Sequence, residues 1–158
     1  MVNCNYQANG CHGGSLTSAS TFLKEFGTVK EECAPYTGKD QKCKHRHASK
    51  HCPLHKCKKV EWLVTEEDTK KEIMKNGPVV SQMIVFDDLY YYQKGIYEHV
   101  SGPKVSNHAI TIVGWGEEEG VKYWRIANTW SDEWGDKGFF NIKLKDVGIA
   151  SYSAACQV

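Results

Sequence analysis

After Gly77-Pro78 the sequence becomes a succession of short apolar and aromatic runs, VVSQMIVF, GIYEHV, HAITIVGWG, KYWRIANTW and GFFNIKL, with Gly or Asp turns between them. Runs of this length, rich in β-branched and aromatic residues and bounded by turn formers, are strands. Their close succession predicts an antiparallel sheet closing toward a barrel, and it confines helices to the first half of the chain.

Two helices fit there. Gly10, Gly13 and Gly14 form a turn that opens onto SLTSASTFLKEFG, where Leu16, Ala19, Phe22, Leu23 and Phe26 recur at helical spacing before Gly27 stops the run. A second helix, from about Glu66 to Asn76, is signalled by Thr65 with Asp68 three residues on, by acids in its first turn and by the stop at Gly77-Pro78. Between the helices, residues 33 to 59 hold four cysteines, four histidines and two prolines without apolar periodicity, which predicts a long loop tied by disulfides.

The chain of 158 residues carries seven cysteines, six of them before residue 58, which points to an oxidising, secretory-route environment. The odd count requires that one cysteine be free or pair outside this sequence. Lys plus Arg number 20 against 19 acids, so a formal charge of +1 provides no field to attract nucleic acid or an anionic membrane. No apolar run approaches the roughly 20 residues that cross a bilayer, and the N-terminal residues lack the apolar stretch of a signal peptide. Neither nucleic acid nor membrane is an expected partner.

His108 stands at the head of HAITIVGWG, where a strand would hold its imidazole rigidly at a sheet end; on the strand pattern alone it reads as structural before catalytic. Asn128 ends the next strand, YWRIAN, and a hairpin through GEEEG would bring the two residues side by side. Its amide oxygen could then accept from the imidazole N–H and fix the tautomer, as the third member of a triad does. Trp130 and Trp134 are placed to cover that bond.

These residues carry a resemblance. NHAITIVGWG followed by YWRIANTWSDEWGDKGFFNI resembles the histidine and asparagine blocks of papain-like cysteine peptidases of the cathepsin B and cathepsin C type. NGCHGG (residues 9–14) resembles the glycine-rich site that binds substrate backbone, and NGPVVSQMIVFDDLYYYQKGIYEHV resembles the segment before the histidine strand. The resemblance implies an α+β, papain-like fold: part of a helical left domain over residues 1–59, and an antiparallel, β-barrel-like right domain over 60–158. It makes His108 the general base and acid, oriented by Asn128, and gives Gly13 and Gly14 the substrate main chain as a short added strand. It places Leu16, Gln82, Ala109 and Tyr152 around the S2 pocket, with Trp130 beside the catalytic pair. Gln82 and Tyr152 are unusual there, Thr129 stands where a serine usually follows the asparagine, and Val147 replaces a cysteine of many relatives.

In papain-type enzymes the nucleophile lies in C-G-S/A-C-W/Y, with the histidine roughly 130 to 150 residues downstream. Counting back from His108 puts that cysteine before residue 1, and none of Cys4, Cys11, Cys33, Cys43, Cys52, Cys57 or Cys156 lies in such a motif. The expected partners are a peptide or protein substrate and an N-terminal light chain or segment that supplies the cysteine; no cofactor or metal is expected. Without that segment the chain is expected to be inactive, and the other reading is a catalytically inactive relative kept as a binding or structural subunit.

By resemblance to cathepsin C, the disulfides are Cys4–Cys43 and Cys33–Cys52, with Cys11 left for a cysteine near the nucleophile and Cys57 and Cys156 unassigned. The spacing of the same loop resembles the occluding loop of cathepsin B, in which His45 or His47 would hold a substrate carboxylate, although Arg46 separates them. A zinc reading of His51 and His55 with Cys52 and Cys57 competes with disulfides for the thiols. The family implies a lysosomal, vacuolar or secreted protein.

Overall fold

The computed structural model describes residues 1–43 and 51–158. His45 and His47, the histidines proposed for the loop, lie outside the described residues. The chain divides into two compact units, one of Met1–Glu61 with Cys156–Val158 and one of Trp62–Ala155. Among the described residues no helix is long and apolar enough to cross a membrane.

The first unit is built on helix α1, Leu16–Glu25. Ser15 caps it: its side chain accepts from the Ser18 amide at 3.1 Å, and the Ser18 hydroxyl accepts from the Ser15 amide at 3.2 Å, a reciprocal capping box. Phe22 is its buried apolar residue and stacks at a tilt on Phe26, while Gly27 (φ 77°) returns its amide to the Phe22 carbonyl and ends the helix. Among the other described residues of the unit are two 3-10 turns, Gly10–His12 and Glu31–Cys33, and disulfides tie the segments together. Cys4–Cys43 and Cys33–Cys52 join as the cathepsin C resemblance implies, Cys57 pairs with Cys156, and Cys11 is free. The zinc reading is therefore overturned, because both thiols it needs are consumed by disulfides.

Seven strands form one sheet: β1 Lys59–Leu63, β2 Val79–Phe86, β3 Ile96–Tyr97, β4 Lys104–Glu118, β5 Val121–Ala127, β6 Phe139–Lys143 and β7 Ser153–Gln157. Their order is β1-β7-β2-β4-β5-β6-β3, so the sheet remains open with β1 and β3 at its edges. The pairs β2–β4, β2–β7, β4–β5 and β5–β6 are antiparallel as expected, but β3 lies parallel to β6. β3 also covers only two residues of the expected GIYEHV run. Beyond Glu98 the amides of His99, Val100 and Ser101 donate to the carboxylates of Asp146 and Asp88 instead of a neighbouring strand.

Helix α2, Glu66–Asn76, has the predicted bounds. The Thr65 hydroxyl oxygen accepts from the Asp68 amide at 3.0 Å, three acids occupy the first turn, and Gly77 (φ 99°) closes the end. The core of this unit alternates along the strands. Val79, Ser81, Met83 and Val85 of β2 point inward, as do Ile110 and Ile112 of β4, Trp124 and Ile126 of β5 and Phe140 and Ile142 of β6. The β4–β5 hairpin turns on Glu119 (φ 51°) and Gly120 (φ 80°), two left-handed residues that suit a tight two-residue hairpin.

Candidate active site

His108 lies directly across from Met83 on β2, on the inward face of β4 that Ile110 and Ile112 continue into the core. The β4–β5 register pairs Thr111 with Ala127, so Asn128, the next residue, emerges on the same face one diagonal away from His108. There the chain leaves β5, and the Asn128 amide donates to the Gly138 carbonyl at 2.9 Å. The His108 Nε2 is 2.8 Å from the Asn128 Oδ1.

The tautomer follows from a second contact. The same Oδ1 accepts from the Thr129 amide at 2.8 Å, and because a backbone N–H can only donate, the side-chain atom facing both groups is the oxygen. His108 must therefore donate through Nε2–H. In the neutral ring this leaves the lone pair on Nδ1, available as a base. The amide nitrogen of Asn128 is buried with no hydrogen-bond partner among the described residues.

Aromatic rings surround this bond. The Trp130 indole stacks beside the imidazole with centroids 5.3 Å apart, and Trp134 meets Trp130 edge-on at 4.8 Å. Trp134 rests on Phe140 and Tyr92, and its Nε1–H donates to the Tyr90 carbonyl at 3.1 Å. The Tyr90 ring stacks on Trp130 at 4.9 Å. Tyr90 escaped the sequence reading because nothing in the run YYY distinguishes one exposed tyrosine from a buried one.

Tyr90 sits in a short 3-10 turn, Asp87–Tyr91, anchored by the fully buried Leu89 and by Asp88. The Asp88 carboxylate accepts from the Tyr97 hydroxyl at 2.6 Å, the Val100 amide at 2.9 Å and the Ser101 amide at 3.1 Å, and it meets His99 Nδ1 at 3.1 Å. Burial by itself raises the carboxyl pKa, but these hydrogen bonds outweigh it and hold Asp88 well below the usual carboxylate range. Burial and the same carboxylate push the Tyr97 hydroxyl upward.

The remaining predicted residues are distributed as follows. Gln82 and Ala109 are cross-strand partners on the outer, exposed face of β2 and β4, next to His108. Tyr152 precedes β7 and stacks on Trp62 of β1 at 4.7 Å and 10°. In the first unit, Gly13 adopts φ 100°, a Cβ on Gly14 would press the Ala8 side chain at 2.9 Å, and Leu16 opens α1.

Comparison with known proteins agrees in sequence and in shape. A model described as papain family cysteine protease matches residues 1–157. The chain is 36% identical to cathepsin B of Dictyostelium discoideum over 95% of its length, covering 54% of that protein. It is 34% identical to cathepsin B-like cysteine proteinase 1 of Ostertagia ostertagi over 98% of its length, covering 55% of that relative. It thus spans about half the length of the curated relatives it matches. Among solved structures it superposes on procathepsin B S9 from Trypanosoma congolense with TM-score 0.88 and 33% identity, covering 99% of this chain and 57% of that one. A digestive procathepsin L 3 of Tenebrio molitor, at TM-score 0.87 and 22% identity over 99% of this chain and 53% of its own, shares the fold. By family model, sequence and structure together, this chain belongs to the papain family of cysteine proteases.

Proposed function

We propose that the chain is the histidine- and asparagine-bearing portion of a cathepsin B-like cysteine peptidase, in which a preceding segment outside these 158 residues supplies the nucleophilic cysteine. The observation that supports it most is the fixed tautomer: the Asn128 Oδ1 accepts a hydrogen bond from Nε2–H, which keeps that proton on Nε2 and leaves Nδ1 as the base. In this reading the thiol proton passes to Nδ1 of His108, giving a thiolate–imidazolium pair. The thiolate sulfur bonds to the scissile carbonyl carbon, the C–N bond breaks, and the imidazolium proton goes to the leaving amine. Water then attacks the thioester carbonyl with its proton passing to His108, and the C–S bond breaks to release the carboxylic acid and restore the thiolate–imidazolium pair.

Residues 1–59 act as part of the left domain and 60–158 as the right domain. Gly13 and Gly14 hold substrate backbone, Gln82, Ala109 and Tyr152 shape S2, and Trp130 covers the catalytic pair. The substrate is a peptide or protein, and the compartment is lysosomal, vacuolar or extracellular, in keeping with three disulfides.

The test is hydrolysis of a dipeptidyl fluorogenic substrate by the purified chain, alone and together with a segment bearing C-G-S/A-C-W. The chain alone is expected to be inactive and the combination active and blocked by an epoxysuccinyl thiol inhibitor. Inhibitor-sensitive hydrolysis by the chain alone, or none by the combination, would contradict the proposal.

A further inference from the structure

Trp130 lies beyond the last residue of β5, so side-chain contacts rather than a strand ladder set where its indole sits. Three rings touch it: His108 at 5.3 Å, Trp134 at 4.8 Å and Tyr90 at 4.9 Å. Tyr90 acts on two of these relations at once. Its ring lies nearly parallel to Trp130, at 20°, and its carbonyl accepts the Trp134 indole N–H at 3.1 Å. We propose that Tyr90 is a positioning residue for the His108–Asn128 hydrogen bond, clamping both indoles so that Trp130 stays over the imidazole. This rests on the catalytic reading of His108 given above.

The physical argument is one of water access. A hydrogen bond between His108 and Asn128 is stronger and longer-lived where a ring displaces solvent than where water competes for the same donor. Trp134 is held by the core through Phe140 and Tyr92, so it forms a fixed wall. Tyr90 forms a second wall, stacked on the Trp130 ring, 43% exposed itself but mounted on a turn that Leu89 and the Asp88 hydrogen bonds make rigid. Without the Tyr90 ring, Trp130 gains room to swing away from His108. An aromatic pair of this geometry shifts such an equilibrium by roughly 2- to 13-fold at the usual strength of aromatic pairs.

The experiment is imidazole NMR on the full 158-residue chain, reading the exchange rate of the His108 Nε2 proton with water. Tyr90→Leu is expected to speed exchange by roughly 2- to 13-fold. Tyr90→Phe, which keeps the ring, should restore the wild-type rate. Tyr91→Leu alters the neighbouring, 78% exposed tyrosine and should leave the rate unchanged. An unchanged rate in Tyr90→Leu, or a Tyr90→Phe rate as fast as that of Tyr90→Leu, would overturn the proposal. Should Tyr90→Leu fail to fold, wild-type cross-relaxation between the Tyr90 and Trp130 rings decides, and its absence counts against the clamp. None of these readouts needs turnover. The catalytic reading fails separately, if His108→Ala keeps full activity once the nucleophile is supplied.

Discussion

His108 and Asn128 are 20 residues apart in the chain and 2.8 Å apart in space, joined because the β4–β5 register sets both on one face of the sheet. The Asn128 oxygen orients a ring that would otherwise rotate and exchange tautomers. Replacing Asn128 with alanine in the complemented enzyme should therefore lower kcat with little change in KM. By analogy with other triads, where losing the orienting group costs up to about 10⁴-fold, a loss of 10-fold or more is expected. A rise in KM alone would assign Asn128 to binding.

Asp88 should contribute stability with a defined pH dependence. Its pKa is lowered in the folded state, so the contribution is complete above the unfolded value of about 4 and is lost as the pH falls toward the folded value. Asp88→Asn removes charge-assisted bonds from Tyr97, His99 and two amides, and about 2–3 kcal/mol should be lost at neutral pH. Urea unfolding at pH 7, 5 and 3 checks this: the gap from wild type should hold at the first two and shrink at the last.

Much of this architecture was legible in the sequence, for local reasons. Helix α2 has the bounds that Thr65, Asp68 and Gly77-Pro78 imply, because capping chemistry lies within a few residues of each end. The β2, β4, β5 and β6 runs appear as strands because their alternation is strong. β1 and β7 were hidden: KVEWL adjoins a lysine-rich stretch, and SAACQ is mostly small residues with no strand signature. The parallel β3–β6 pairing, the Cys57–Cys156 bond and the Trp62–Tyr152 stack join residues far apart in the chain, and periodicity carries no information about such pairings.

The two disulfides that close the longest and shortest loops should differ in worth. Cys57–Cys156 spans 99 residues and Cys33–Cys52 spans 19. Chain entropy gives about 4.7 and about 3 kcal/mol respectively. Thermal melting of the paired Cys→Ala variants should show the larger drop for Cys57/Cys156, and the reverse order would contradict the entropic account.

Cys11 should be a sluggish thiol. Desolvation and the Asp40 carboxylate, which also accepts from the Cys11 amide at 2.8 Å, raise its pKa. Less thiolate is present at pH 7, so iodoacetamide should label Cys11 more slowly than an unstructured cysteine peptide, and Asp40→Asn should speed it several-fold. Peptide mapping without reduction should also find Cys11 unpaired with the other six cysteines.

The most direct test is the pH dependence of thiol alkylation in the chain complemented by a segment bearing C-G-S/A-C-W. If His108 is the base, its imidazolium holds the nucleophile as a thiolate in acid. Alkylation should then persist several units below the usual cysteine pKa of about 8.5, as in papain, whose His-paired cysteine titrates near 3–4. His108→Ala should return the midpoint to about 8.5. An acid-shifted profile that survives His108→Ala would rule out His108 as the base.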